Sequence, residues 1–188
     1  MKRRVLLTLP ALNVARPALA SWPDRPIRLI VPFPPGSGTD VLARLLAEPF
    51  AKQLGQPVVV DNRPGGNGVV GAQAGATAAP NGYSLTMLGT SAAAINPHTV
   101  RRLPYDPERD FAPIGGIAYQ PYVLVVAPDR PERDLAALLE AGRRNPNGLT
   151  FSTGNAGSLI MGHMIAQASG VRMTAVPYRG GAEAAADV

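Results

Sequence analysis

Apolar positions along this chain follow two alternating rhythms. Short apolar runs bounded by Gly, Pro and Asn predict strands over Ile27–Phe33, "QPVVVDNR", "YSLTMLG", "PYVLVVAP", "LTFSTG" and "MTAVPYRGG". Segments of helical period lie between them. The first, Val41–Leu54, puts Val41, Leu42, Leu45, Leu46 and Phe50 on one broad face, with Pro49 expected to kink it or end its regular part. Further helices are predicted over Val69–Ala79, within "ERDLAALLEAGRRNPNG" with Leu135, Leu138 and Leu139 inward, over Leu159–Ser169, and after "MTAVPYRGG" toward the end of the chain. "QPVVVDNR" is apolar without alternation, as expected of a strand covered on both faces. "RRLPYDPERDFAPIGG" has neither period and is expected to wrap the surface. Such alternation predicts an α/β fold with mostly parallel sheet flanked by helices.

Composition sharpens this picture little. With 46% hydrophobic and 16% charged residues the chain reads as globular, and its 20 Gly and 20 Pro mark tight connections rather than one linker. The net charge of +5 suggests nucleic acid until it is located. Of the 18 basic residues, Lys2, Arg3, Arg4 and Arg16 precede Ser21, and the remainder nearly balance the 13 acids. No basic stripe is left to follow a phosphate backbone, so no nucleic-acid partner is expected. The same four residues belong to a segment that reads as an export signal: "MKRR", an apolar "VLLTLPAL", and Ala18-Leu19-Ala20 ahead of Ser21. Residues 1–20 are therefore expected to direct the chain to the periplasm. The absence of Cys excludes thiolate metal sites and Cys nucleophiles, and two isolated His residues make no metal cluster. No metal and no cofactor are expected.

Three strand-to-helix turns share a chemistry. "VPFPPGSGTD", "LGTSAAA" and "FSTGNAGSL" each end a strand with Gly, Ser or Thr and then enter a helix. In an open α/β sheet such turns gather at the carboxyl edge of the strands. Each helix start leaves unpaired N–H groups at the positive end of the helix dipole. The bland alternative is that Ser37, Thr39 and Ser158 merely cap their helices. Taken together the turns suggest a neutral, donor-rich cradle for an anion. Nucleotide phosphate is disfavoured, since no Lys follows the glycines and Val41 stands where a third Gly would be needed. Asp40 is expected to orient its own turn rather than to touch a ligand. "GTSAA" half-matches a nucleophile elbow centred on Ser91, which leaves a serine hydrolase as an alternative, although neither His98 nor His163 is spaced to pair with it.

Four stretches in the same order carry a more specific resemblance: "PIRLIVPFPPGSGTDVLARLLAEPFAKQLGQPVVVDNRPGGNG", "APNGYSLTMLGTSAAAINPH", "LPYDPERDFAPIG" and "VPYRGGAEAAADV". From Trp22 to Val188 the chain resembles the Bug (TctC-like) extracytoplasmic solute receptors of tripartite tricarboxylate transporters. The resemblance implies a periplasmic-binding-protein-like, two-lobe (type II) architecture. Residues 21–116 would form the N-terminal part of lobe 1 and residues 117–188 part of lobe 2, with a hinge over Ile117–Tyr122. It implies a non-enzymatic, monomeric receptor that traps a small organic carboxylate and hands it to membrane permease subunits. The matching ligand-binding positions are Pro34, Gly36, Ser37 and Thr39 in the first turn, and Thr90, Ser91 and Ala92 in the second. Thr153, Asn155, Ala156, Gly157 and Ser158 match in lobe 2, and Tyr178 beside Arg179 is a further candidate. Similar receptors continue well past this point, so the chain is expected to be C-terminally truncated and the architecture incomplete; a remnant that binds nothing is the third alternative.

Overall fold

A computed structural model describes residues 22–188; the export signal lies outside the described residues. Three strands form the first sheet: β1 (Ile27–Val31), β2 (Val58–Asn62) and β3 (Ser84–Thr86), all parallel in the order β2-β1-β3. Leu29 pairs with Val60 on one side and Leu85 on the other. The central strand is apolar except at Arg28, which pairs with Asp61 of β2, and Ile27, Ile30 and Val31 are fully buried. Leu29 and Val31 join Ala43 of helix α1 (Gly38–Leu54) and Met87 in one core cluster. The alternate face carries Thr86, which lies against Gly75 of helix α2 (Val69–Ala76). Ala72 of α2 enters a second cluster with Ala92 and Tyr105. The chain after β3 makes a π-helical turn at Ser91–Ile95 that continues into α3 (Asn96–Thr99).

The second sheet is a parallel pair, β4 (Leu149–Thr153) and β5 (Met173–Pro177), joined through α5 (Ala156–Ser169). Phe151 fills the space left by Gly162 of α5 and meets the His163 ring edge-on at 5.7 Å. On the other side α4 (Leu135–Arg144), capped by Asp134, buries Leu138 and brings Gly142 against Leu149 and Val171. A last helix, α6 (Gly181–Ala186), follows β5.

Several expectations need correction. Helix α1 starts three residues early and runs through Pro49 to Leu54. The carbonyl that Pro49 cannot serve belongs to Leu45, which is 65% exposed, so water can take the bond and the break is tolerated. Helix α2 stops at Ala76, three residues before the expected end. Strand β2 is not covered on both faces: it is an edge strand, and Val59 stands 53% exposed. Leu135 likewise faces solvent rather than the core. The largest departure is "PYVLVVAP". No described strand runs beside it, so it forms no ladder and crosses between the two sheets as an open connector, with Val123 78% exposed. "RRLPYDPERDFAPIGG" wraps the surface without regular structure, as expected, except that Tyr105 is buried.

Candidate functional site

Ser37 begins the first turn by capping α1, its hydroxyl accepting the Asp40 N–H at 3.3 Å. Asp40 is only 2% exposed, yet its carboxylate is fully partnered. Oδ2 accepts the Gly36 N–H at 2.9 Å and Arg44 Nε at 3.0 Å, while Oδ1 accepts Asn62 Nδ2 at 2.9 Å. The same Asn62 nitrogen donates to the Phe33 carbonyl at 3.0 Å. Burial alone would push the Asp40 carboxyl up, but the Arg44 hydrogen bond, helped by Gly36 and Asn62, holds it below the usual carboxylate range. The turn is thus tied down from inside, with Gly36 at a φ of 80° that favours glycine. Beyond it, the Gly38 and Thr39 amides have no acceptor within the helix.

The second turn is fixed from behind. Tyr105 donates its hydroxyl to the Ala92 carbonyl at 2.7 Å, and buried Asn96 donates to the Asn67 carbonyl at 3.1 Å. Ala92 is fully buried, Ser91 is 4% exposed and Thr90 is exposed. In the third turn Asn155 and Ser158 form a reciprocal capping box at the start of α5. Ala156 and Gly157 are buried and their amides, too, precede the first helical acceptor. Thr153, ending β4, is 5% exposed. Every fully buried side-chain nitrogen or oxygen among the described residues has a hydrogen-bond partner. The Ser91 and Thr153 hydroxyls form no such bond among the described residues, so each keeps some contact with solvent.

The turns lie close together. Gly68 sits between Pro32 of the first and Ala92 of the second; a methyl group there would meet their Cβ atoms at 3.4 and 3.6 Å. Helix α5 packs against the Ser91–Ile95 turn, joining the second to the third. Gly180, after β5, lies against Pro34, closing the arrangement from the second sheet. Tyr178 is less well placed. Its main chain extends the β4 ladder by donating to the Thr153 carbonyl at 2.8 Å, but its hydroxyl donates to Asp187 beyond α6. That bond, with some burial, pushes the phenol above its ordinary value. Arg179 is exposed, its N–H donating to Glu183. His98 and His163 are both exposed, and neither forms a hydrogen bond to Ser91 among the described residues.

Two residues escaped the sequence reading. Gln120 and Tyr122 project from the connector onto the first and third turns: the Gln120 amide lies against Gly38, and the Tyr122 hydroxyl donates to Asn155 Oδ1 at 3.1 Å and covers Gly157. Burial raises the Tyr122 phenol. Chemically the three turns present neutral N–H and hydroxyl donors, and Arg44 beside the first turn is paired with Asp40. The described residues contain no cluster of His, Asp or Glu suited to a metal, and no helix long and apolar enough to cross a membrane. Two open grooves lie elsewhere. One, between α1 and β2, is largely apolar, and the other, beside His98, is lined by Asp106, Glu108 and Asp110, which would repel an anion.

Comparison with known proteins adds an independent line. Residues 42–188 match the family described as the tripartite tricarboxylate transporter family receptor. The R. palustris protein Rpa4515, solved with adipate, is 36% identical, with a TM-score of 0.83 over 88% of this chain and 56% of its own. The periplasmic binding protein BugD is 33% identical, with a TM-score of 0.73 over 88% of this chain and 56% of its own. MatC from Rhodopseudomonas palustris, with bound malate, is 31% identical, with a TM-score of 0.73 over 85% of this chain and 55% of its own. The chain spans about half the length of the curated relatives it matches, as with a UPF0065 protein of Bordetella bronchiseptica that is 37% identical over 98% of this chain and 56% of its own length.

Proposed function

Given that this chain belongs to the tripartite tricarboxylate transporter receptor family, we propose that it is the ligand-recognising part of a periplasmic solute-binding protein for a small organic carboxylate. The export signal read in residues 1–20 and the likeness to a periplasmic binding protein support that location. Residues 21–116 belong to lobe 1 and residues 117–188 to lobe 2, and the ligand is held where their turns meet. One carboxylate group takes the Gly38 and Thr39 amides, with Ser91, Ala92 and Thr90 beside them. Thr153, Asn155, Ala156, Gly157 and Ser158 receive the other end of the molecule; Pro34, Gly36 and Ser37 shape the first wall, and Tyr178 contributes through its main chain. The receptor acts as a monomer and delivers its ligand to the permease subunits of a tripartite tricarboxylate transporter.

The observation that carries this reading is the proximity of three turns that open helical segments, with the first amides of α1 and α5 lacking acceptors within their helices and with nearly buried Ser91 and Thr153, whose hydroxyls form no hydrogen bond among the described residues. Aligned amides favour an anion. Neutral donors also suit reversible capture, because release breaks no buried ion pair. The structures holding adipate and malate point to the same class of ligand. A hydrolase centred on Ser91 has no such support, as neither histidine bonds to that serine.

Isothermal titration against adipate, malate, citrate, amino acids and aromatic acids tests the proposal. At least one acid should bind and raise the melting temperature, by an increment that grows with its concentration. Flat titrations across the whole set would refute it, and hydrolysis of a chromogenic ester that is lost in Ser91→Ala would replace it with the enzyme reading.

A further inference from the structure

The connector is more than a hinge. In extended backbone, residues two apart point to the same side. Gln120 and Tyr122 are such a pair, separated by Pro121, and each reaches a different helix start, Gln120 that of α1 and Tyr122 that of α5. A Cβ added at Gly38 would meet Gln120 Nε2 at 2.8 Å, and one added at Gly157 would overlap the Tyr122 hydroxyl. The Tyr122 approach therefore depends on glycine at position 157, while a Cβ at position 38 would only displace the end of the flexible Gln120 side chain. Their neighbours Tyr119 and Val123, on the alternate side, are 91% and 78% exposed against 50% for Tyr122, so the side bearing Tyr122 is the one nearer the protein while both it and Gln120 keep contact with solvent. Ser91 and Thr153, in the second and third turns, are 4% and 5% exposed, and neither hydroxyl forms a hydrogen bond among the described residues, so each is free to meet a polar group.

We infer that Gln120 and Tyr122 are specificity-determining residues, which rests on the receptor reading above: they bridge the two anion-receiving helix starts and select ligands carrying a second carboxylate. A monocarboxylate fills one helix start only. A dicarboxylate spans both, and its second group then meets the α5 amides together with the Tyr122 hydroxyl, which can turn from Asn155 Oδ1 to the ligand. Asn155 loses little by this, because its Oδ1 still accepts the Ser158 N–H at 3.0 Å. The Gln120 amide supplies donors from the first helix start toward the middle of the ligand. A dicarboxylate that is too short, or a monoacid, leaves these groups unpaired, and a site built to bond a polar group discriminates strongly against ligands lacking it.

The test compares adipate with hexanoate, its monoacid counterpart, by titration of the wild-type chain, Tyr122→Phe and Gln120→Ala, with melting temperatures measured in parallel. The wild type should prefer adipate, and each variant should lose roughly tenfold in adipate affinity with little change for hexanoate, as expected for loss of one hydrogen bond to a charged group. A purely structural role would weaken both acids alike and lower the melting temperature. That result would overturn the inference, as would variants that keep the wild-type preference within twofold. Failure of the wild type to bind either acid or any other carboxylate would instead remove the receptor reading, and this inference with it.

Discussion

Asp40→Asn offers the sharpest test of how the first turn is built. The carboxylate is 2% exposed and accepts three bonds, two at Oδ2 from Gly36 and Arg44 and one at Oδ1 from Asn62. An amide of the same shape has one acceptor and one donor, so a donor must face a donor on one side whichever way it is turned. Asn62 cannot relieve the conflict by flipping, since its own nitrogen serves Phe33 and its oxygen accepts Arg44 at 3.3 Å. Losing one bond to a charged acceptor costs about 1.5–3 kcal/mol. The first-turn charge on α1 adds about 0.3–1 kcal/mol. The Arg44 pair adds little beyond this, because Arg44 is 55% exposed and screened by solvent. The expected loss is about 2–4 kcal/mol, or roughly 5–15 °C in melting temperature for a chain of this size.

The pH dependence gives an internal control. Asp40 in the folded chain lies below its ordinary carboxyl pKa despite its burial, because Arg44, Gly36 and Asn62 favour the charged form. Its stabilisation is therefore fully present above the unfolded value of about 3.9 and is lost as the pH falls through the lower, folded value. Urea denaturation of wild type and Asp40→Asn should show a gap of a few kcal/mol at pH 7 that narrows on acidification below about pH 4. A gap under about 0.5 kcal/mol at pH 7, or one that stays constant as the pH is lowered, would refute the network as drawn.

Two further outcomes follow from other parts of the molecule. Asn155→Ala removes the capping box of α5 and should cost about 1 kcal/mol, or about 2–4 °C in a thermal melt, with Asn155→Asp recovering most of it; an unchanged melting temperature would mean that the cap does not hold the third turn. The exposed apolar connector should make the chain bind the dye ANS in its native state, and replacing both Val123 and Val125 by Lys should lower that fluorescence with the melting temperature unchanged; equal fluorescence would place the dye elsewhere.

The parallel α/β rhythm was legible because the first two strands are largely apolar runs between Gly- and Pro-rich turns and because Ser37 announces the helix it caps, whereas α5 begins at Ala156, ahead of the expected Leu159, since Asn155 rather than Ser158 is its cap. Asp40 was legible as a residue that orients its own turn, since an acid at a helix start has a simple electrostatic reason to be there. What failed were inferences that need a neighbour to be known. "PYVLVVAP" has every local mark of a strand, but β propensity reports fitness for a pleated, half-buried surface and cannot supply the adjacent strand. "QPVVVDNR" was misjudged for the same reason: an apolar run tells nothing about whether a helix covers its second face, and the exposure of Val59 depends on what packs there. Pro49 survives inside α1 because the lost bond faces water, a fact about orientation rather than composition.

Gln120 and Tyr122 show where this limit matters for function. In the sequence they flank a proline at the edge of an apolar run, with no glycine signature, charge or spacing to mark them. Their role arises only when the connector crosses between two sheets and lays that side against Gly38 and Gly157, residues 82 and 35 positions away in the chain when counted from Gln120 and Tyr122 respectively. The turns proposed to receive negative charge are encoded locally, because a helix start needs only its own cap and first residues. Groups that choose among acids of different length must instead come from a segment spanning both starts, so selectivity is encoded in tertiary contact. This division predicts that the anion cradle can be kept while preference is changed at the connector alone.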